Sequence, residues 1–336
     1  MSALLYGPYD LRIENMGSLE PGEGEVLVEV EYCGVCPTDL RFFTGVRRPK
    51  SFPTKMGHEI SGRIVSIGPG VSQLDQGQHV SFLGRVGCGQ CAFCKRGYSN
   101  HCEDSRFVSG GFSQLMICPA SNVVVSPKSL PLKETCLAEP VGCCVSALEK
   151  LTLSDESTAI VIGDGPIGLI FVQLLRLAHV KSVCQSGHHR ERLEFGKRIG
   201  ADLVFDTSEG PLGNAPSKLL PNMQFDTVVV AAPNSSAISE GLAVVSRLGQ
   251  VLIFANPYPP ENLNLDLDSL HKKELTILGS HECAVRHMEK ALRYMSDGSI
   301  NVGSSITNVF SFGKLTEAFN TALIRKSMKV VVTPNH

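Results

Sequence analysis

The sequence predicts an α/β protein in which a mostly β first part is followed by a doubly wound parallel sheet. Short β-branched or alternating segments, separated by glycine and proline, occupy the chain before Pro140. After Pro140, strand and helix patterns alternate, as they do in parallel sheets with helices on both faces. At 336 residues the chain is long enough for two domains of ordinary size. We therefore expect one β domain and one α/β domain.

The individual elements follow from the same two patterns. In the first part, strands are predicted at residues 25–32, 60–67, 78–83 and 112–118. In the second part, strands are predicted at residues 158–162, 182–184, 203–205, 227–231 and 250–254, and helices are predicted to end near Arg176 and Gly200. A helix at residues 287–295 and a strand at residues 328–333 complete the chain. This tail suits a return to the first domain.

Composition argues against nucleic acid and membranes as partners. The formal net charge is −2 and the pI is about 6.6, so no basic field would attract a polyanion. No apolar run is long enough to cross a bilayer, and residues 1–10 lack the basic and apolar stretches of a signal peptide. The twelve cysteines are therefore expected to be reduced ligands and core residues of a cytoplasmic protein.

Four cysteines share a short glycine-bent stretch with the spacing CxxCxxCx7C. They are Cys88, Cys91, Cys94 and Cys102. Four thiolates at this spacing can surround a tetrahedral zinc ion and leave no open position, which indicates a structural rather than a catalytic metal. Two disulfides across such tight loops would be strained. We therefore predict a structural zinc lobe at about residues 86–103.

A glycine-rich segment follows the predicted strand at residues 158–162. It consists of Gly163, Asp164, Gly165, Pro166, Ile167 and Gly168 and precedes an amphipathic helix. In such a strand–loop–helix, Gly163 can form the tight turn and Gly165 can let a pyrophosphate approach the backbone. Gly168 can let the helix pack closely on the strand. The segment predicts a dinucleotide site, against the alternative of an ordinary strand–turn–helix.

The end of the next strand bears on which dinucleotide binds. An acid usually binds the ribose 2′-hydroxyl there, but this strand ends in Ser186 and Gly187. The following donors are His188, His189, Arg190 and Arg192. Small residues followed by such donors favour a 2′-phosphate, so we predict that NADP(H) is preferred over NAD(H). The alternative is that residues 188–192 are only the solvated first turn of a helix.

A second set of metal-ligand side chains is spread over three segments. Cys36, His58 and either Glu59 or Glu139 provide the thiolate, imidazole and carboxylate that a catalytic zinc would use, with one position left for water or substrate. Each of these residues alone would more often be structural. Together with a tetrathiolate cluster and a dinucleotide loop, they predict a second, catalytic zinc.

The ordered motifs GVCxTD, GHE, CxxCxxCx7C, GGFSQLM, AEP and GxGPIG resemble the medium-chain zinc-dependent alcohol and polyol dehydrogenases over essentially the whole chain. The resemblance implies a GroES-like catalytic domain at residues 1–140 and 283–336 and a Rossmann domain at residues 141–282. It implies two zinc ions per chain and a homodimer or homotetramer. Glu139 matches the polyol dehydrogenases, and Glu59 matches a glutamate that binds the zinc directly in some members of the family and lies behind the ligands in others. Asp39 would orient the imidazole of His58.

The resemblance also implies a mechanism. The catalytic zinc would lower the pKa of the substrate hydroxyl, and hydride would pass to the nicotinamide. Thr38 resembles the hydroxyl of the family's proton relay. Many relatives carry a histidine five residues after the ligand cysteine, but Arg41 stands here and cannot act as a base, so the exit of the proton stays open between water, the ribose and Glu59.

Several functions remain open at this stage. The first is an oxidoreductase that interconverts a secondary alcohol of a polyol, sugar or cyclitol and its ketone. The others are an NADPH-dependent aldehyde or ketone reductase and a nonenzymatic zinc- or nucleotide-binding scaffold. A further hypothesis is that the small-molecule substrate is anionic and bound by Arg47 or Arg48, against the alternative that both belong to a solvated basic loop.

Overall fold

The computed structural model describes residues 1–210, 212 and 224–335. The chain forms two compact units, of which the first comprises Met1–Cys143 and Glu282–His336 and the second comprises Cys144–His281. No helix among the described residues has both the length and the apolar character needed to cross a bilayer.

The first unit is built mainly from three sheets. Its strands are β1 (Ser2–Gly7), β2 (Asp10–Glu14), β3 (Glu25–Gly34), β4 (Thr54–Lys55), β5 (Glu59–Ile67), β6 (His79–Phe82), β7 (Arg85–Val86), β8 (Arg106–Phe107), β9 (Leu115–Pro119), β10 (Val123–Val125), β17 (Ile306–Ser311) and β18 (Lys329–Thr333). The sheet orders are β2-β1-β4, β10-β6-β5-β3-β18-β17 with β9 also paired to β3, and β7-β8. The last strand thus pairs with β3 near the start of the chain, antiparallel, with Val332 opposite Cys33.

Short helices complete the first unit. They are α1 (Pro37–Phe43), α2 (Ala92–Lys95), α3 (Leu132–Thr135), the start of α4 (Ala138–Leu148), α9 (Val285–Ser296) and α10 (Leu315–Leu323). Phe43 packs edge-on against Phe319 with ring centroids 5.1 Å apart, and Phe112 does so at 5.2 Å. These buried rings attach α1 and α10 to one core, which holds α1 in place.

The second unit is a six-stranded parallel sheet. Its strands are β11 (Thr158–Ile162), β12 (Ser182–Gly187), β13 (Leu203–Asp206), β14 (Phe225–Val230), β15 (Val245–Ile253) and β16 (Thr276–Gly279), in the order β13-β12-β11-β14-β15-β16. Its described helices include α5 (Pro166–Leu177), α6 (Arg190–Arg198), α7 (Ser235–Val244) and α8 (Leu267–Lys273). This is the doubly wound order that binds dinucleotides at the carboxyl ends of its central strands. The predicted α/β fold class is confirmed.

Some predicted boundaries differ from those of the structure. The strand expected at residues 112–118 begins only at Leu115, and the strand expected at 250–254 begins at Val245. The strand expected at 182–184 continues to Gly187. The sequence did not predict this extension because Gln185 and Ser186, although fully buried, are polar and do not show the apolar pattern of a strand.

Candidate functional site

Three candidate metal ligands come together in the first unit. Cys36 directly precedes helix α1, His58 lies between Gly57 and β5, and Glu59 is the first residue of β5. One sulfur, nitrogen or oxygen atom of each lies within 4.8 Å of the others. His58 and Glu59 are 8% and 2% exposed, so these donors are largely withdrawn from bulk water. A thiolate, an imidazole and a carboxylate at this separation could hold one zinc ion.

Asp39 connects the segments that carry these donors. Its Oδ2 accepts a hydrogen bond from the Cys36 backbone N–H at 3.0 Å, and its Oδ1 accepts one from the Gly57 N–H at 3.1 Å. His58 Nδ1 lies 3.8 Å from Asp39 Oδ1, beyond hydrogen-bond distance. Gly57 has φ of +87°, and a Cβ there would meet Cys33 Sγ at 2.8 Å. Asp39 therefore sets the backbone on both sides of the site.

Negative charge exceeds positive charge around these residues. Burial works against a charged imidazole, but the charges of Cys36 and Asp39 outweigh it and raise the pKa of His58 well above its usual value. Burial raises the pKa of Asp39. His58 and the backbone N–H groups of Cys36 and Gly57, which donate to the carboxylate, oppose that increase. A divalent cation would compensate such a group of anionic donors, so the site fits a metal.

Glu59 also forms a buried ion pair that the sequence analysis did not anticipate. Its Oε2 pairs with Nζ of Lys329, which donates to the Val35 carbonyl oxygen at 3.2 Å. Burial opposes the charge of Lys329, but Glu59 outweighs it and raises the pKa of Lys329. A Cβ on Gly34 would stand 2.1 Å from Glu59 Oε2, so only glycine leaves room for the carboxylate. The one sequence signal was a lysine at the start of the apolar segment KVVV.

Glu139 and Thr38 lie near this group without belonging to it. Among the described residues, the close group contains Glu59 and not Glu139. Glu139 lies in the first turn of α4 and accepts a hydrogen bond from Cys143 Sγ at 3.3 Å. Burial raises the pKa of Glu139, His58 opposes that increase, and Glu59 adds to it. Thr38 is half-buried in the first turn of α1, two residues after Cys36.

Phe107 is another residue that the sequence did not single out. Its ring meets that of His58 edge-on, with centroids 5.6 Å apart, yet Phe107 is 50% exposed. The guanidinium of Arg85 lies 5.8 Å from the Phe107 centroid and pairs with Glu282. An exposed ring beside a candidate ligand provides an apolar wall for a bound molecule.

The cysteine cluster forms a second, separate ligand group. Cys88, Cys91, Cys94 and Cys102 each place a sulfur within 4.8 Å of the others. The backbone N–H groups of Gln90 and Cys91 point at Cys88 Sγ, at 3.4 and 3.3 Å, and lower the pKa of that thiol to about 7. Turns that donate to sulfur in this way are already arranged for a thiolate. Four such ligands leave no open position on a tetrahedral ion.

The glycine-rich loop of the second unit has room for a ligand. Gly163 has φ of +131°, and Gly165 precedes α5 with no atom of the described residues within 4 Å of an added Cβ. A Cβ on Gly168 would stand 2.1 Å from the Gly163 carbonyl oxygen, so Gly168 permits the close approach of α5 to the loop. Pro166 and Ile167 form the first turn of α5. This geometry fits a pyrophosphate at the start of the helix.

The predicted adenosine end contains two exposed hydrogen-bond donors and one unexpected acid. His188 and Arg190 are exposed, whereas Ser186 is fully buried and its hydroxyl oxygen has no hydrogen-bond partner among the residues that the structure describes. Gly187 carries no side chain, but the carboxylate of Asp164 reaches its position from the glycine-rich loop. Sequence reasoning missed this acid because it examined only the strand end itself.

The proposed anion-binding arginines lie on the surface of the first unit. Arg47 and Arg48 are exposed, and the Arg47 guanidinium lies 5.3 Å from the centroid of Phe42. Their placement leaves open both the substrate hypothesis and a solvated loop.

Two protein-family models match this chain. The alcohol dehydrogenase GroES-like domain matches residues 22–128, and the zinc-binding dehydrogenase model matches residues 166–297. An L-threonine 3-dehydrogenase of Pyrococcus horikoshii is 30% identical over 93% of this chain and 92% of its own length. A D-arabitol-phosphate dehydrogenase of Enterococcus avium is 26% identical over 94% of this chain and 92% of its own length.

Solved structures of similar proteins contain either nicotinamide cofactor. A zinc-binding dehydrogenase from Sinorhizobium meliloti bound to NADP has a TM-score of 0.93 at 26% identity, covering 99% of this chain and 98% of its own. An alcohol dehydrogenase from Escherichia coli in complex with NADH has a TM-score of 0.91 at 27% identity, with the same coverage.

Proposed function

The chain belongs to the medium-chain zinc-dependent alcohol and polyol dehydrogenases, and on this premise we propose that it interconverts a secondary alcohol of a polyol, sugar or cyclitol and the corresponding ketone. The observation that carries the proposal is the convergence of Cys36, His58 and Glu59 within 4.8 Å. We assign the catalytic role to residues 1–140 and 283–336 and the cofactor role to residues 141–282. The similarity to a D-arabitol-phosphate dehydrogenase supports a polyol-type substrate.

We propose two zinc ions per chain, one held by Cys36, His58 and Glu59 and one by Cys88, Cys91, Cys94 and Cys102. When bound, the first zinc supplies Lewis acidity that lowers the pKa of the substrate hydroxyl, and the nicotinamide supplies the hydride acceptor. Asp39 fixes the backbone before α1 and before β5, so it holds Cys36 and His58 in register. Lys329 holds one oxygen of Glu59, which limits how this carboxylate can turn.

Proton transfer from the hydroxyl falls to groups of this chain. Thr38 lies two residues after Cys36 and is half-buried, which suits a hydroxyl that passes a proton outward. Arg41 cannot accept that proton at working pH. We propose Glu139 as a second carboxylate that takes part in proton transfer, because the first turn of α4 holds it in a partly buried position and it interacts electrostatically with both His58 and Glu59.

The proposed cofactor is NADP(H) in preference to NAD(H). Gly187 has no side chain to bind a ribose hydroxyl, and exposed His188 and Arg190 follow it. These observations equally favour a second candidate function, an NADPH-dependent reductase of aldehydes or ketones. Turnover of polyols and of simple aldehydes, each with both cofactors, distinguishes the two, since strong activity on simple aldehydes alone would contradict the polyol proposal.

An anionic substrate is a finer proposal. Relatives act on a phosphorylated polyol and on an amino acid, as their names state, and exposed Arg47 and Arg48 could bind a phosphate or carboxylate. We expect Arg47→Ala and Arg48→Ala to raise KM for acidic substrates at least several-fold while KM for neutral polyols stays constant. Unchanged KM values for every active acidic substrate would contradict the proposal.

Assembly and location are inferred from one sheet edge and from the state of the cysteines. Strand β16 ends the described order of the parallel sheet, and an open edge can pair with a second copy, which supports a homodimer or homotetramer. Light scattering tests this directly. No disulfide joins any of the cysteines that the structure describes, which supports a reducing compartment such as the cytoplasm.

A further inference from the structure

The carboxylate of Asp164 occupies the space at the end of β12 that a side chain on residue 187 would need. A Cβ on Gly187 would stand 2.5 Å from both Cβ and Oδ2 of Asp164. An acid at position 187 and Asp164 therefore exclude each other. The negative charge that the end of β12 lacks in sequence is supplied in space by the glycine-rich loop.

The donors at the start of α6 already bind this carboxylate. Asp164 Oδ2 accepts hydrogen bonds from the N–H groups of His188 and His189 at 2.9 and 2.7 Å. His189 Nδ1 lies 3.0 Å from the same oxygen, and Arg192 Nη1 lies 3.9 Å from Oδ1. Asp164 is only 5% exposed, so its oxygens face these donors rather than solvent. An internal anion thus occupies donors that would otherwise be free for a 2′-phosphate.

We propose that Asp164 sets the discrimination between NADP(H) and NAD(H), and that its charge restrains the preference for NADP(H) that His188 and Arg190 create. The inference builds on the proposed cofactor site. A phosphate at this strand end would bind exposed His188 and Arg190 while lying close to a fixed carboxylate, and close like charges in a partly buried site repel appreciably. NAD(H) has no phosphate there and does not experience this repulsion.

The test is calorimetric titration of the zinc-loaded protein with NADP⁺ and NAD⁺ in the absence of substrate. The two probes differ only in the 2′-phosphate. Asp164→Asn removes the charge and keeps an amide oxygen that can accept from His188 and His189. We expect the ratio Kd(NAD⁺)/Kd(NADP⁺) to rise about tenfold, equivalent to about 1.4 kcal/mol, mainly through tighter NADP⁺ binding. The matched charge control is Glu156→Gln, because Glu156 carries a 78% exposed carboxylate beside Lys181. This variant should leave the ratio unchanged.

Different results would contradict the role of Asp164 and the proposed NADP(H) preference. A ratio that stays constant or falls, or equal weakening of both cofactors, would overturn the role of Asp164 and reduce it to shaping the loop. If Asp164→Asn does not fold, Asp164→Ser removes the same charge and keeps a hydroxyl acceptor. A wild-type ratio below one would contradict the proposed NADP(H) preference only, because the role of Asp164 is measured as a shift from wild type.

Discussion

At the residue scale, Glu59 has two potential partners, the metal and Lys329. Its carboxylate belongs to the close group with Cys36 and His58, and one of its oxygens pairs with the buried lysine. A carboxylate has two oxygens and can serve both partners at once. Glu139 lies outside the close group and instead accepts a hydrogen bond from Cys143 Sγ. We therefore propose Glu59 rather than Glu139 as the third ligand, a choice that the sequence left open.

This assignment predicts different zinc contents for two conservative variants. Glu59→Gln should reduce bound zinc from two ions to one per chain and lower turnover at least about hundredfold, because the remaining donors hold the ion poorly. Glu139→Gln should keep both ions and lose about 10- to 100-fold in turnover, as expected for a group outside the ligand set. Elemental analysis of the purified variants measures zinc, and steady-state kinetics measures turnover.

The ion pair requires its own control. Glu59→Gln leaves the Lys329 ammonium buried without its carboxylate, and breaking a buried pair costs about 3–5 kcal/mol. Adding Lys329→Met should restore much of the unfolding free energy without restoring the zinc ion held by Cys36 and His58. If the double variant regained both zinc ions, or if Glu139→Gln alone lost one, the ligand assignment would be wrong.

At the element scale, two glycines of the strand–loop–helix around Gly163 have different roles, one in cofactor binding and one in the stability of the fold. Gly165→Ala should leave the melting temperature unchanged, because no atom in the described part of the chain lies within 4 Å of the added Cβ. The variant should weaken dinucleotide binding at least about tenfold by blocking the pyrophosphate. Gly168→Ala should instead destabilise the fold by about 1–3 kcal/mol through overpacking against Gly163. Thermal melts and cofactor titration measure the two effects. Normal cofactor affinity of Gly165→Ala would contradict the site.

For the cysteine lobe, we expect a substitution to affect zinc content and stability but not the chemical step. Cys91→Ala removes one of four ligands around the structural position, so it should lower bound zinc from two ions to one and lower the melting temperature. The chemical step should survive in the folded fraction, with kcat per folded molecule within about threefold of wild type, since the lobe supplies no group of the catalytic set. A variant that remained fully stable but lost only turnover would contradict this division of roles.

Sequence patterns anticipated the elements that are local and failed on contacts that are not. β11, the glycine loop and α5 form one continuous segment, so their spacing alone predicted the dinucleotide site. Asp164 and His189 are 25 residues apart, and Lys329 and Val35 are 294 residues apart. Such pairs depend on sheet order, which no local period encodes. The acid at the end of β12 and the lysine behind Glu59 therefore became visible only in the folded chain.

At the scale of the whole molecule, the two proposed zinc positions have different roles, one in stability and one in catalysis. We propose that the conspicuous cysteine cluster stabilises one lobe, whereas the proposed catalytic position combines Cys36, directly before α1, with His58 and Glu59 at the start of β5. We propose that the catalytic position holds a zinc ion on which turnover depends. The proposal requires two ions per chain in the wild-type protein and only one when Cys36 is changed.

The most direct test measures zinc per chain and dehydrogenase turnover in wild type and Cys36→Ser side by side. We predict two zinc ions in wild type, one in Cys36→Ser, an unchanged secondary-structure spectrum, and turnover reduced at least about thousandfold in the variant. One zinc ion per wild-type chain, or a Cys36→Ser variant that retains turnover, would contradict the account.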